Sequence, residues 1–229
     1  MTVSLTARSA DGALGMVIAS SSPAVAARCM HLRPGVGAAA SQNVTNPALG
    51  PTVLDRLAAG DTPAEALDAA LADDAHPAYR QLTAVDATGR VAVRSGAQAL
   101  GIHGEAVGAS CVAAGNLLAN DGVLGAMVEG FEGAGTVLEP ASAAFEERLL
   151  AGLRAGLDAG GEAGPLRSAG LAVVEDAAWR TTDLRVDDHD DPVAELARLL
   201  ALWLPQKADY LTRALDPTAA PAYGVPGDE

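Results

Sequence analysis

Polar and apolar residues alternate from Thr2 to Ala7 with a β-branched bias, which predicts a strand. Ser9-Ala10-Asp11-Gly12 is turn chemistry, Asp-Gly above all, and Leu14 to Ala19 continues as a second strand, so the chain opens with a hairpin. Pro23 to Cys29 reads either as a short helix or as an irregular loop. Gly35 to Ala40 reads as a buried strand of very small residues. Pro51 to Ala59 predicts a helix that stops at Gly60. Thr62-Pro63-Ala64-Glu65 is a capping box: the Thr62 hydroxyl takes an orphan amide, Glu65 reaches back, and Pro63 suits the first helical position. The helix it starts runs to about Ala72.

Gln81 to Asp86 and Val91 to Ser95 flank a turn at Ala87-Thr88-Gly89 and form a second hairpin. Ile102 to Val107 and Ser110 to Ala114 read as further strands, followed by helices from Asp121 to about Glu132 and from Pro140 to about Ala159. Leu171 to Glu175 and Leu184 to Val186 are the last strands. Asp191 is the N-cap of a long helix with Pro192 in its first turn, and Pro205 is expected to end or kink it. The stretch after Leu215 is rich in Pro, Ala and Gly and is expected to be poorly ordered. This gives one domain over residues 1–215 and a tail over 216–229. Hairpins dominate and strict βαβ alternation is absent, so the pattern favours an α+β fold: antiparallel sheets with helices segregated on outer faces.

Composition sharpens this picture. Hydrophobic residues make up 49% of the 229 residues but aromatics only 3%, so the core must be built from Ala, Val and Leu, and layers can approach closely. The net charge of -14, with no basic patch, argues against nucleic-acid binding. No apolar run approaches the ~20 residues of a spanning helix, and no basic segment precedes an apolar run at the start, so a cytoplasmic protein with no membrane partner is expected. Cys29 and Cys111 lie far apart without ligand spacing; both read as buried free thiols, and no metal or other cofactor is expected. The Ala-rich helices suit a close-packed interface, so a homo-oligomer, a dimer, is expected. Lys207 is the only lysine.

Several segments together resemble a known family: Thr2-Val3-Ser4-Leu5-Thr6-Ala7-Arg8, Leu14 to Ser20, Gly35-Val36-Gly37-Ala38 with Gln42 and Asn46-Pro47, Tyr79 to Leu82, Gly115-Asn116-Leu117-Leu118, and above all the run Asp183 to Leu196. The set resembles the bacterial domain-of-unknown-function family 1028, which is regarded as related to the N-terminal-nucleophile (Ntn) hydrolases. The resemblance covers about Thr2 to Leu204 and implies a four-layer αββα sandwich. The chain departs from the family pattern at Gly164 to Ala169 and at Ala97 to Leu100, where a substrate difference would be written.

That resemblance implies Thr2 as nucleophile once Met1 is removed, acting on a small-molecule amide. The freed α-amine, with a reference pKa of about 7.7–8.0, would be the general base for the Thr2 hydroxyl. Proteasome-like relatives place a lysine near the nucleophile; here that place falls near His31 to Arg33, and His31 is the residue that would tune the amine, or a structural histidine. Asn116 and the Gly35/Gly37 backbone are candidate oxyanion donors, and Ser20 a candidate contact of the Thr2 amine; Asn116 reads equally as a turn residue that tolerates a left-handed conformation, and Ser20 as an ordinary strand-end serine. Gln42 and Asn46 are candidate pocket residues, although Asn46-Pro47 is also ordinary turn grammar. In Asp187-Asp188-His189-Asp190-Asp191 the residue types suit a hard cation or zinc, but the loop is read as capping a helix. Asp187, Asp188 and His189 are candidate substrate contacts. The competing readings are a catalytically silent binding or scaffold protein on the same fold and a metal-dependent enzyme using the acidic loop.

Overall fold

The computed structural model describes residues 2–137 and 144–226. Strands β1 (Thr2–Arg8) and β2 (Leu14–Ser20) form the opening hairpin, closed where Ser9 N–H donates to Ala13 O at 2.8 Å and Gly12 takes a left-handed turn at φ 102°. The helix-or-loop segment is a short helix, α1 (Val25–Cys29), and it runs straight into β3 (Met30–Arg33). The small-residue strand β4 spans Gly37–Asn43. Helices α2 (Leu49–Ala58) and α3 (Pro63–Ala72) follow, the second with both halves of its capping box made: Glu65 N–H to the Thr62 hydroxyl and Thr62 N–H to the Glu65 carboxylate at 2.9 Å. A 3₁₀ turn (Pro77–Tyr79) leads into β5 (Arg80–Asp86) and β6 (Val91–Ser95), then β7 (Gly104–Val107) and β8 (Cys111–Asn116). Helices α4 (Val123–Val137) and α5 (Phe145–Asp158), strands β9 (Ser168–Val174) and β10 (Arg180–Val186), and helix α6 (Pro192–Leu215) complete the chain.

The strands form two sheets, ordered β10-β9-β2-β1-β8-β7 and β3-β4-β5-β6, and every pairing in both is antiparallel. Three cores stack through the molecule. Val3, Leu5, Ala7, Val17 and Leu171 leave the outer face of the six-stranded sheet and meet Met127 and Phe131 of α4, Leu149 and Leu153 of α5, and Leu196 and Leu200 of α6. Met16, Ile18, Val112 and Ala172 leave its inner face and meet Met30, Ala38, Ala40 and Val85 of the smaller sheet. Ala39, Leu82 and Ala84 leave the far face of that sheet and meet Val53, Leu57 and Leu67 of α2 and α3. The sequence is therefore an αββα sandwich. Small residues make the layers fit: a Cβ on Gly156 of α5 would lie 2.3 Å from the Met127 side chain of α4.

Two expectations need correction. Of the two outcomes expected at Pro205, an end or a kink, the end is excluded: helix α6 passes through it to Leu215. The missing N–H costs about 3 kcal/mol, and contacts beyond it offset that loss: Lys207 Nζ bonds Glu146 and Glu175 at 2.8 Å each, and Tyr210 stacks on Trp203. The strand β3 was not expected at all. The helix expected from Pro140 begins, within the described residues, at Phe145; its earlier part lies outside them. The stretch after Leu215 is placed as far as residue 226, with Arg213 over the Tyr223 ring and donating to Pro221 O. Among the described residues no helix is long and apolar enough to cross a membrane.

Candidate active site

The alternation in β1 puts Val3, Leu5 and Ala7 into the outer core, so Thr2, Ser4 and Thr6 point between the two sheets. There they meet polar residues of the smaller sheet. The Ser4 hydroxyl donates to Gln42 Oε1 at 2.7 Å, and Thr6 Oγ1 lies 3.4 Å from Thr83 Oγ1. Gln42 Nε2 donates to Gln81 Oε1 at 2.9 Å, and Asn116 Nδ2 donates to the same oxygen at 3.3 Å. Gln81 Nε2 in turn lies within bonding distance of Ser95 Oγ, Gly104 O and Gly115 O. Thr2, Ser4, Ser20, Gln42, Gln81 and Asn116 are all buried. Thus half of the space between the sheets is apolar and the other half is a hydrogen-bonded polar layer.

Thr2 begins the row. It pairs with Asn116 of β8, and its other neighbour, β2, places Ser20 across from it. Thr2 Oγ1 and Ser20 Oγ are 3.3 Å apart; Ser20 Oγ and Ser22 Oγ are 3.0 Å apart; Arg28 donates to Ser22 Oγ at 3.1 Å. A chain of hydroxyls therefore connects Thr2 to a guanidinium, which Arg28 also commits to the Pro23 and Ala24 carbonyls. Among the described residues, the three non-glycine residues with left-handed backbone are Ala24 (φ 51°), Asn43 (φ 68°) and Leu117 (φ 53°). Ala24 and Leu117 stand in loops and Asn43 ends β4, all three at this end of the sandwich. Such strain collects at functional sites.

The structure also shows a residue that the sequence reading missed. Glu162 is 7% exposed and bridges Leu118, just past the end of β8. Its Oε2 accepts from Ser21 N–H at 3.2 Å, just past the end of β2, while its Oε1 is buried without a hydrogen-bond partner among the described residues. Burial pushes the Glu162 carboxyl up to about 7, partly offset by the positive amino terminus. The only sequence signal was a lone acid among the glycines Gly160, Gly161 and Gly164.

The other candidates fall in two places. Asp187, Asp188 and His189 stand at the same end, tied to the site through the backbone: Ala24 N–H donates to Asp187 O, His189 N–H to Arg167 O, and Arg167 N–H to Ser20 O. Their side chains are committed among themselves. Arg167 grips Asp188 with two bonds of 2.8 Å and also reaches Asp190; Arg185 takes Asp187; His189 Nδ1 accepts from Asp191 N–H. Arg167 holds the Asp188 carboxyl below the usual carboxylate range. Asp191 caps α6 through Ala194 N–H at 3.1 Å. No group of three or more His, Cys, Asp or Glu among the described residues could hold a metal.

His31 and Asn46 lie on the other side of the smaller sheet. His31 pairs with Ala39, a residue of the core between the smaller sheet and helices α2 and α3, and its ring sits where a Cβ of Gly50 in α2 would be, at 2.0 Å. Burial pushes its imidazole below the usual range. Asn46 accepts from Ala48 N–H and donates to Asp74, which is ion-paired with Arg80 at 2.6 Å. The Gly35/Gly37 backbone stands at the opposite end of β4 from Gln42, about 17 Å away by strand rise. Cys29 and Cys111 are buried free thiols, and burial raises Cys111 to about 11, so neither is a competing nucleophile near neutral pH.

The family model of the family of unknown function DUF1028 matches residues 2–196. Protein SPO2555 from Silicibacter pomeroyi, a crystal structure under the same family model, is 33% identical, covers 91% of this chain and 89% of its own, and superposes with a TM-score of 0.81. Anbu, an ancestral β-subunit from Yersinia bercovieri, is 11% identical over 92% of this chain and 97% of its own, with a TM-score of 0.42. No curated protein matches the sequence.

Proposed function

Taking as premise that the chain belongs to DUF1028, a family of unknown function, we propose that it is an Ntn-type amidohydrolase acting on a small amide, with Thr2 as nucleophile after loss of Met1. One observation carries this reading. Central strand β1 of the αββα sandwich begins with Thr2, whose hydroxyl lies 3.3 Å from the buried Ser20 hydroxyl at the end of the sheets where left-handed backbone collects.

The chemistry proceeds in two halves. The neutral α-amine of Thr2 takes the Oγ proton, Oγ bonds the amide carbon, and the carbonyl π pair moves to oxygen. Asn116 Nδ2, with one N–H on Gln81, has a second to offer that oxyanion. The oxyanion then reforms the carbonyl; the C–N bond breaks and its electron pair takes the proton from the Thr2 ammonium, releasing the amine product and leaving an ester. Water attacks the ester, the α-amine takes its proton, and the C–Oγ bond breaks as that proton returns to Oγ. Ser20, continued by Ser22 and Arg28, fixes the Thr2 hydroxyl. Asp187, Asp188 and His189 stand at the same end of the sandwich and are the substrate contacts in this proposal; Gln42 braces the layer beneath.

Intact mass together with a hydroxyl-directed probe such as a β-lactone tests the reading. The protein is expected without Met1 and carrying one adduct, lost in Thr2→Ala by a factor of at least about 100 in rate. Retention of Met1 in the cell's own protein, or equal labelling of Thr2→Ala, would leave the alternative of a silent binding protein on this fold.

A further inference from the structure

We propose that Glu162 receives the α-amine of the processed Thr2, making the base of this site an amine–carboxylate pair instead of an amine tuned by a lysine. The inference rests on the hydrolase reading above and adds the group that orients its base.

The placement follows from the sheet. Strand β1 lies between β2 and β8. Thr2 is level with Ser20 on one side and Asn116 on the other. Strand β1 begins at Thr2, while the chains of its two neighbours run on past that row. Residues 161–163 return along the continuation of β8, with Ala119 N–H donating to Gly161 O and Ala163 N–H to Leu117 O, both at 3.0 Å. From there the Glu162 side chain reaches Ser21 N–H on the continuation of β2. Two strands separated by a third are about 9.6 Å apart. The carboxylate therefore crosses the end of β1, at the row where the chain before Thr2 would continue. Cutting the chain before Thr2 puts its ammonium at that carboxylate.

Two further observations fit. Glu162 Oε1 is buried and lacks a partner among the described residues, as an acceptor awaiting a donor would be. The other charges at this end are occupied elsewhere: Arg167 by Asp188 and Asp190, Arg185 by Asp187, and Arg28 by the Pro23 and Ala24 carbonyls and Ser22. The chain's one lysine is committed to Glu146 and Glu175 on α5 and the β9–β10 turn. By accepting an N–H bond, Glu162 turns the amine's lone pair toward Thr2 Oγ1.

The rate of β-lactone labelling against pH distinguishes this role from a structural one. A neighbouring carboxylate raises an ammonium's pKa, so Glu162→Gln should move the midpoint of the rising limb to lower pH by about one unit. It should also lower the plateau roughly tenfold or more, within the range a positioned base contributes. Glu162→Asp, with the charge kept, should hold the wild-type midpoint at a reduced plateau. Coincident midpoints for wild type and Glu162→Gln would overturn the pairing while leaving the hydrolase reading intact. Absence of labelling in processed wild type would remove both. Should the variants not fold, carbon-13 titration of the Glu162 carboxyl in wild type decides: its midpoint falls when Met1 is removed if the pair forms, and stays fixed if it does not.

Discussion

Gln81 shows how much one buried side chain can hold. Its Oε1 accepts from Gln42 and Asn116, and its Nε2 reaches Gly115 O across the gap between the sheets. Gln81→Leu keeps the volume but orphans all three groups. A loss of about 3 kcal/mol is expected, seen as a lower urea midpoint with unchanged slope. The Glu162 carboxyl, with its folded value raised to about 7, acts through pH. A raised acid stabilises the fold fully below the unfolded value near 4.3, and that contribution is lost as pH climbs through 7. In protein that retains Met1, Glu162→Gln should therefore match wild type at pH 4 and exceed it by about 3–4 kcal/mol at pH 8; equal stability at both would mean that the carboxylate carries no penalty. The sequence singles out Thr2, Ser20, Gln42 and Asn116, which the structure brings into one polar layer; its local pattern does not mark Gln81 or Glu162 for that layer. In β1 and β5 the polar positions alternate as on a strand with one wet face, yet Thr2, Ser4, Gln81 and Thr83 face the other sheet. Alternation specifies two faces and does not say what covers the polar one. Glu162 owes its burial to pairing with Leu118, a non-local contact without periodicity.

Helix α6 makes the same case for elements. Local grammar ends or kinks it at Pro205, and tertiary contacts carry it to Leu215. Lys207 reaches Glu146, itself buried and bonded by the Thr182 hydroxyl at 2.7 Å, and Trp203 donates to Thr182 Oγ1 from the turn before the proline. Lys207→Met should cost about 2–3 kcal/mol, because it strips the counter-ion from a buried carboxylate. Faster amide exchange confined to the helix beyond Pro205 would mark the loss as local; uniform exchange along α6 would show that Lys207 does not hold this half. Elements with complete local signals were legible: the hairpins by Asp-Gly and Thr-Gly turns, and α3 by its capping box. Strand β3 is four residues long, follows α1 without a loop, and exists because β4 offers it an edge, so no local pattern announces it.

At the scale of the molecule, 29 acidic residues against 15 basic ones leave a net charge of -14, and the arginines are largely spent in pairs such as Arg33–Asp55, Arg90–Asp86 and Arg94–Asp68. The surplus is negative charge on the surface, and it acts on both stability and encounter. Screening shortens the reach of exposed charges to about 10 Å at 0.1 M salt and about 3 Å at 1 M, so added sodium chloride should raise the melting temperature by relieving self-repulsion. The same field would gather cationic substrates and repel anionic ones at the Thr2 end, where Asp187 to Asp191 also stand. A cationic amide probe should therefore modify Thr2 roughly tenfold faster than an anionic one of equal reactivity at low salt. The ratio should fall toward unity near 1 M. A ratio insensitive to salt would mean that Arg167 and Arg185, by neutralising the carboxylates of Asp187, Asp188 and Asp190, shield the site from the field of the whole chain, and that selectivity is set within the pocket.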